Sequence, residues 1–134
     1  MRKKLLLVCA NYYPNISLSL RNGAVTSLDK IHKKFINYEC IEVPGVFEIP
    51  FIIAKNIKKY DAFIALGCVI KGETPHFDFI SSATTNAIMN LSIKYKKPIG
   101  NGIITCLNKK QAKVRSKTKG HEAAKAVISI LENF

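Results

Sequence analysis

Four short apolar runs punctuate the chain, and each gives way to a stretch with helical spacing of its apolar residues. The first, residues 5–9, is apolar throughout, which predicts a strand covered on both faces. A loop "ANYYPN" follows. Residues 16–36 then place Leu20, Ala24, Leu28, Ile31 and Phe35 on one helical face. "YECIEV", residues 38–43, predicts a second strand, and Pro44-Gly45 turns the chain. Residues 46–57 predict a helix with Phe47, Phe51 and Ala54 on one side. The third strand is expected over 63–70, a helix over 79–95, and the fourth strand over 98–105. Two shorter helices close the chain, 109–116 and 122–132, the latter with Ala123, Val127, Ile130 and Leu131 apolar.

Strands that alternate with helices predict a parallel sheet with helices on both faces. No internal repeat or low-complexity linker interrupts the pattern, so residues 1–134 are expected to form a single domain. Chemistry in such folds gathers beyond the carboxyl ends of the strands. The unusual residues do follow the strands: "NYYPN", "PGVFE", "KGETPH" and "TCLNKKQ" in turn.

Composition adjusts this picture little. Apolar residues make up 48% of the 134, enough for a real core. Lys+Arg number 21 against 9 acids, a net charge of +12, which raises a nucleic-acid partner. The lysines are scattered, however, and the arginines are only Arg2, Arg21 and Arg115, too few for a groove reader. No nucleic acid is therefore expected as partner. Cys9, Cys40, Cys68 and Cys106 lack metal-ligand spacing and sit in or beside apolar runs, as small buried hydrophobes in a reducing cytoplasm would. The start "MRKKLLLVCANYY" imitates a secretion signal, but its six-residue apolar run, 5–10, is short of an h-region and fits a strand. No run approaches the roughly 20 residues of a membrane span.

At the third strand end, Gly72 frees the backbone, Thr74 stands at the mouth of a helix, and His76 can exchange protons near neutrality. This reads either as a phosphate seat with an acid/base beside it or as a Thr/Asp cap with a surface histidine. Glu48 suits the first turn of a helix by its charge alone. The surrounding Gly-x-Phe-Glu turn also offers backbone N–H groups and a carboxylate to a polyhydroxyl chain. Arg115, amid lysines, is either a bidentate phosphate ligand or a solvated helix residue. Tyr12 and Tyr13 offer rings to a flat ligand. His32 and His121 look like helix residues without partners. P-loop, dinucleotide and nucleophile-elbow motifs are missing.

Taken together, these stretches resemble the lumazine synthase family over almost the whole chain. "VPGVFEIP" resembles the family's Val-Pro-Gly-Ala-Phe-Glu-Ile-Pro turn. "ALGCVIKGETPHFDFI" follows its longest signature, with Lys71 where Arg is common. "NGIIT…QAKVRS" and "KGHEAAKA" match its last two motifs in order. The resemblance implies a three-layer α/β/α fold, a four-stranded parallel sheet of flavodoxin-like topology in the order 2-1-3-4. It implies condensation of 5-amino-6-(D-ribitylamino)uracil with 3,4-dihydroxy-2-butanone 4-phosphate, the penultimate riboflavin step, with no cofactor and no metal.

Roles follow by position. Tyr12 would stack on the pyrimidine. Val46, Phe47 and Glu48 would hold the ribityl chain. Cys68, Val69 and Ile70 would contact the pyrimidine through backbone. Glu73, Thr74 and Arg115 would lie at the phosphate, and His76 would be the catalytic proton donor and acceptor. A homo-pentamer with sites at subunit interfaces is implied, with a riboflavin synthase as a further partner and no membrane association. The chain departs from the family in three places. Asn101 stands where a neighbour's phenylalanine commonly covers the ring. The segment between Arg115 and Lys119-Gly120 is about four residues shorter, which is expected to disfavour a sixty-subunit shell. The first strand begins without the usual leading segment. The rivals are a flavin or lumazine carrier, a basic RNA-binding protein, and an archaeal-type riboflavin synthase taking two lumazines.

Overall fold

The computed structural model describes residues 2–32 and 35–134. Strand β1 (Lys3–Ala10) leads into helix α1 (Pro14–His32), then β2 (Ile36–Val43), a 3-10 turn (Val46–Glu48) and α2 (Ile49–Lys55). The chain continues through β3 (Ala62–Ile70), α3 (His76–Tyr95), β4 (Ile99–Cys106) and α4 (Lys109–Asn133). All strand pairs are parallel, in the order β2-β1-β3-β4. This is the expected three-layer α/β/α, flavodoxin-like arrangement.

The continuous apolar reading of β1 has a direct cause. Leu5, Leu7 and Cys9 enter one core with Leu20, Ala24 and Leu28 of α1 and Ala124 and Val127 of α4. Leu6, Val8 and Ala10 enter the other, with Ile49 and Ile53 of α2 and Ile88 of α3. A strand buried on both faces has no polar side to alternate with.

Several expected boundaries move. α1 begins at Pro14, which suits a residue lacking an N–H at a helix start, and β2 begins at Ile36 instead of within a longer helix. Lys33 and Lys34, and the side chains of Ile31 and His32, lie outside the described residues. The face of α2 is also corrected. Val46, Ile49, Ile53 and Ile57 point inward, whereas Phe47, Phe51 and Ala54, the face expected from spacing, stand exposed.

The two expected terminal helices are one helix of 25 residues. Its start is capped by side chains: Asn108 Oδ1 at the N-cap accepts from Gln111 N at 2.9 Å, and Gln111 Oε1 reaches past the cap to accept from Leu107 N at 2.9 Å. "LNKKQ" therefore serves the helix first. The helix runs through Gly120 because α1 crosses there. A Cβ on Gly120 would sit 1.9 Å from Leu20 O. His121 is not without a partner either, since its Nδ1 meets Ser27 Oγ of α1.

The sheet's opposite end is fastened by a lysine. Lys96 ends α3 in the left-handed conformation, φ 53°. Lys97 Nζ then donates to Ile57 O at 2.5 Å and Tyr60 O at 2.8 Å.

Candidate active site

A cavity of about 490 Å³ opens beyond the carboxyl ends of β1, β2 and β3. Its lining includes Tyr12, Val46, Phe47, Glu48, Cys68, Val69, Ile70, Thr74 and His76. Nine of the twelve residues singled out from sequence thus meet around one space. Glu73, Asn101 and Arg115 do not line it.

Each wall has a local cause. After β1 the chain turns outward, and the rings of Tyr12 and Tyr13 meet edge to face at 4.9 Å. After β2, Gly45 adopts an extended conformation and its N–H donates to Glu48 Oε1 at 2.9 Å. The carboxylate is held by its own turn, so the Gly45 N–H, expected to be open to a ligand, is already engaged. Gly67 in β3 lets this turn approach. A Cβ there would lie 2.6 Å from Val46 Cγ1 and 3.1 Å from Ala10 Cβ.

After β3, Gly72 does not adopt a positive φ, and a Cβ on it would meet nothing within 4 Å. Its contribution is an uncovered mouth, in place of the expected conformational role. Thr74 Oγ1 accepts from His76 N at 3.4 Å, and Pro75 occupies the N-cap of α3 without a side-chain bond. The expected Thr/Asp cap is thus no more than this one long contact. His76 opens α3 with an exposed side chain on the cavity wall.

The thiol of Cys68 is pushed up to about 12, first by burial and then by the charge of Cys106, while Arg115 acts in the opposite direction. At neutral pH it stays protonated and is no nucleophile. Burial also raises the Tyr13 hydroxyl. Arg115, on α4, reaches back to the end of β4, donating from Nη1 to Thr105 O at 3.0 Å and approaching Cys106 Sγ at 3.8 Å. Asn101 lies on the edge strand β4, exposed, with Oδ1 accepting from Ile103 N at 3.1 Å. Phe77 and Ile80 of α3 complete the lining and were not singled out by sequence. Their position one and four residues after His76 was the available signal. Among the described residues, no three His, Cys, Asp or Glu side chains cluster as metal ligands.

A doubly covered parallel sheet whose strand ends enclose an imidazole, a carboxylate and aromatic rings is the architecture of an α/β enzyme acting on a small molecule. The comparisons make this specific. The sequence model of the family described as 6,7-dimethyl-8-ribityllumazine synthase matches residues 2–134. A protein of that name from Bartonella tribocorum is 42% identical over 140 residues, covering 98% of this chain and 91% of the relative. One from Bartonella henselae is 44% identical, covering 94% and 84%, and one from Agrobacterium fabrum 40% identical, covering 96% and 92%. The chain belongs to the 6,7-dimethyl-8-ribityllumazine synthase family, transferases of riboflavin biosynthesis.

Proposed function

We propose that the chain condenses 5-amino-6-(D-ribitylamino)uracil with 3,4-dihydroxy-2-butanone 4-phosphate, giving 6,7-dimethyl-8-ribityllumazine, phosphate and water. The observation that carries this reading is the convergence of Tyr12, the Val46–Glu48 turn, the end of β3, Thr74 and His76 on one cavity. Tyr12, 72% exposed at the mouth, is free to stack on the pyrimidine. The backbone of Cys68, Val69 and Ile70 meets the ring's edge. Glu48, fixed by Gly45, presents its carboxylate to ribityl hydroxyls.

Thr74 and the start of α3 receive the phosphate, where a helix N-terminus favours an anion. Glu73 and Arg115 are assigned to the rim of that seat. Arg115 keeps donors beyond the one given to Thr105 O, since a guanidinium carries five. His76 gives and takes the protons. The amine attacks the ketone, the resulting Schiff base loses phosphate, and the ring closes. Both reactants are intrinsically reactive, so orientation alone, worth about 7–11 kcal/mol in favourable cases, is the main source of rate.

The working unit is a homo-pentamer. Phe47, Phe51, Phe79, Met89 and Ile93 stand exposed on the 3-10 turn, α2 and α3, an apolar surface a lone chain in water does not favour. Asn101, exposed on the edge strand, is assigned to a neighbour's cavity instead of its own. A riboflavin synthase that consumes the lumazine is the partner enzyme, and the cytoplasm is the proposed location.

The test is to mix purified protein with both substrates and follow lumazine absorbance and fluorescence against the uncatalysed background. Acceleration well above background supports the reading. A folded, assembled sample that binds the lumazine tightly but accelerates nothing replaces it with the carrier.

A further inference from the structure

Tyr13 lines the cavity, yet the proposed reaction gives it no task. Its setting differs from that of Tyr12 beside it. The Tyr13 side chain is half-buried and packs against the core shared by β1, α1, β3 and α4. Its backbone is also secured. Pro14 restricts the residue before it to extended geometry, and the Tyr13 carbonyl accepts from Ser17 N in the first turn of α1 at 2.9 Å. On the other side of Tyr12, Asn11 N donates to Val43 O at the end of β2 at 3.0 Å. Tyr12 thus sits between two tethered neighbours while its own side chain stands exposed. The ring contact it makes is with Tyr13, with 77° between the two planes.

We propose that Tyr13 is a positioning residue for the flat ring of the substrate: anchored on the core, it holds the Tyr12 ring edge to face and so presents a free Tyr12 face to the pyrimidine before any ligand arrives.

The contact sets an orientation because aromatic quadrupoles favour an edge-to-face pair over a face-to-face sandwich. Whichever ring supplies the edge, at least one face of Tyr12 stays clear of Tyr13. An exposed tyrosine without such a contact moves among its staggered rotamers, and a ligand that stacks on it must halt that motion. Immobilising one such side chain weakens binding by about three- to tenfold. Tyr13 supplies that order in advance.

Two consequences separate this role from a plain structural one. Tyr13 acts through Tyr12, so its loss is felt by the pyrimidine and not by the phosphate substrate, whose seat is assigned to Thr74 and the start of α3. The ring edge carries the effect and the hydroxyl does not. Tyr13→Phe keeps the edge and the core contact, whereas Tyr13→Leu keeps apolar bulk and removes the edge. This role rests on the proposed condensation, which names the flat ligand.

Equilibrium titration with 6,7-dimethyl-8-ribityllumazine, followed by its fluorescence, needs no turnover and is run on the full chain beside steady-state kinetics. Tyr13→Leu should raise the lumazine Kd and the KM for the ribitylaminouracil about three- to tenfold, with kcat and the KM for the butanone phosphate in place. Tyr13→Phe should match the unsubstituted chain. In a Tyr12→Leu background, Tyr13→Leu should add no further loss, because the ring it orients is gone. Equal losses in Tyr13→Phe and Tyr13→Leu, a loss shared by both substrates, or losses that add in the double variant overturn the proposal. If Tyr13→Leu does not fold, carbon-13 relaxation of the Tyr12 ring in the unsubstituted, ligand-free protein decides. A restricted ring is expected, and the motion of a freely exposed tyrosine overturns the role. Lumazine binding that depends on Tyr13, without acceleration, keeps the role and overturns the synthase reading. Acceleration with a lumazine Kd indifferent to Tyr13→Leu does the reverse, and a chain that neither binds nor accelerates overturns both.

Discussion

At the scale of single residues, the proposed reaction gives His76 and Arg115 different tasks. His76→Ala is expected to slow turnover by no more than about 10²–10⁴-fold, the usual range for one general acid–base group. Single-turnover rates check this, and a larger loss would mean that His76 also positions substrate. Arg115→Ala should raise the KM for the butanone phosphate and leave kcat largely in place. An unchanged KM would remove Arg115 from the phosphate. Sequence made His76, Thr74 and Glu48 legible because each follows a strand end and differs in chemistry from its apolar approach. It did not show that Glu48 folds back on Gly45, which depends on turn geometry, or that Gly67 is where Val46 settles on the sheet. Phe77 and Ile80 are apolar wall, and apolar residues beside a motif look the same whether they line a cavity or a core.

At the scale of elements, the packing of α4 on α1 is the sharpest case. Alanine at position 120 gains helix propensity, about 1 kcal/mol. Its Cβ would fall 1.9 Å from Leu20 O, and backbone cannot yield as a side-chain tip does. Gly120→Ala should therefore destabilise by a net ~1–3 kcal/mol, seen as a lower urea midpoint with unchanged slope. The sequence pattern broke α4 in two at this glycine because periodicity reports a helix's own buried stripe and not the helix that crosses it. The same blindness reversed α2: Phe47, Phe51 and Ala54 do share a face, but it looks outward. β2 supplies a pH test. Tyr38 is raised from 10.0 to about 12, by burial first and then by its bond to Asp29. The folded chain holds this proton more tightly than the unfolded chain, so the contribution is complete below pH 10 and is lost as pH rises towards 12. Denaturant midpoints should fall across that window, and Tyr38→Phe should flatten the fall.

For the whole molecule, the layers and the position of the cavity were legible because strands that alternate with amphipathic helices leave few alternatives, whereas the strand order was implied by the family resemblance. Assembly was not legible, since one chain's periodicity cannot say what covers an outward face. Sedimentation should show a pentamer of the 14.9 kDa chain, and Phe79→Glu, which places a charge on the exposed apolar surface of α3, should shift it towards monomer. A monomer in the unsubstituted chain would leave the cavity without its proposed neighbour. The Lys97 ammonium bears on all of this from the far side. By joining the carbonyls of Ile57 and Tyr60 to the exit of α3, it acts as a clasp between two crossovers. The scaffold is consequently latched at one pole and open at the other. Loops at the open pole can be traded, lengthened or retuned while the latch keeps the strands in step, so reactivity and foldedness can drift under separate pressures.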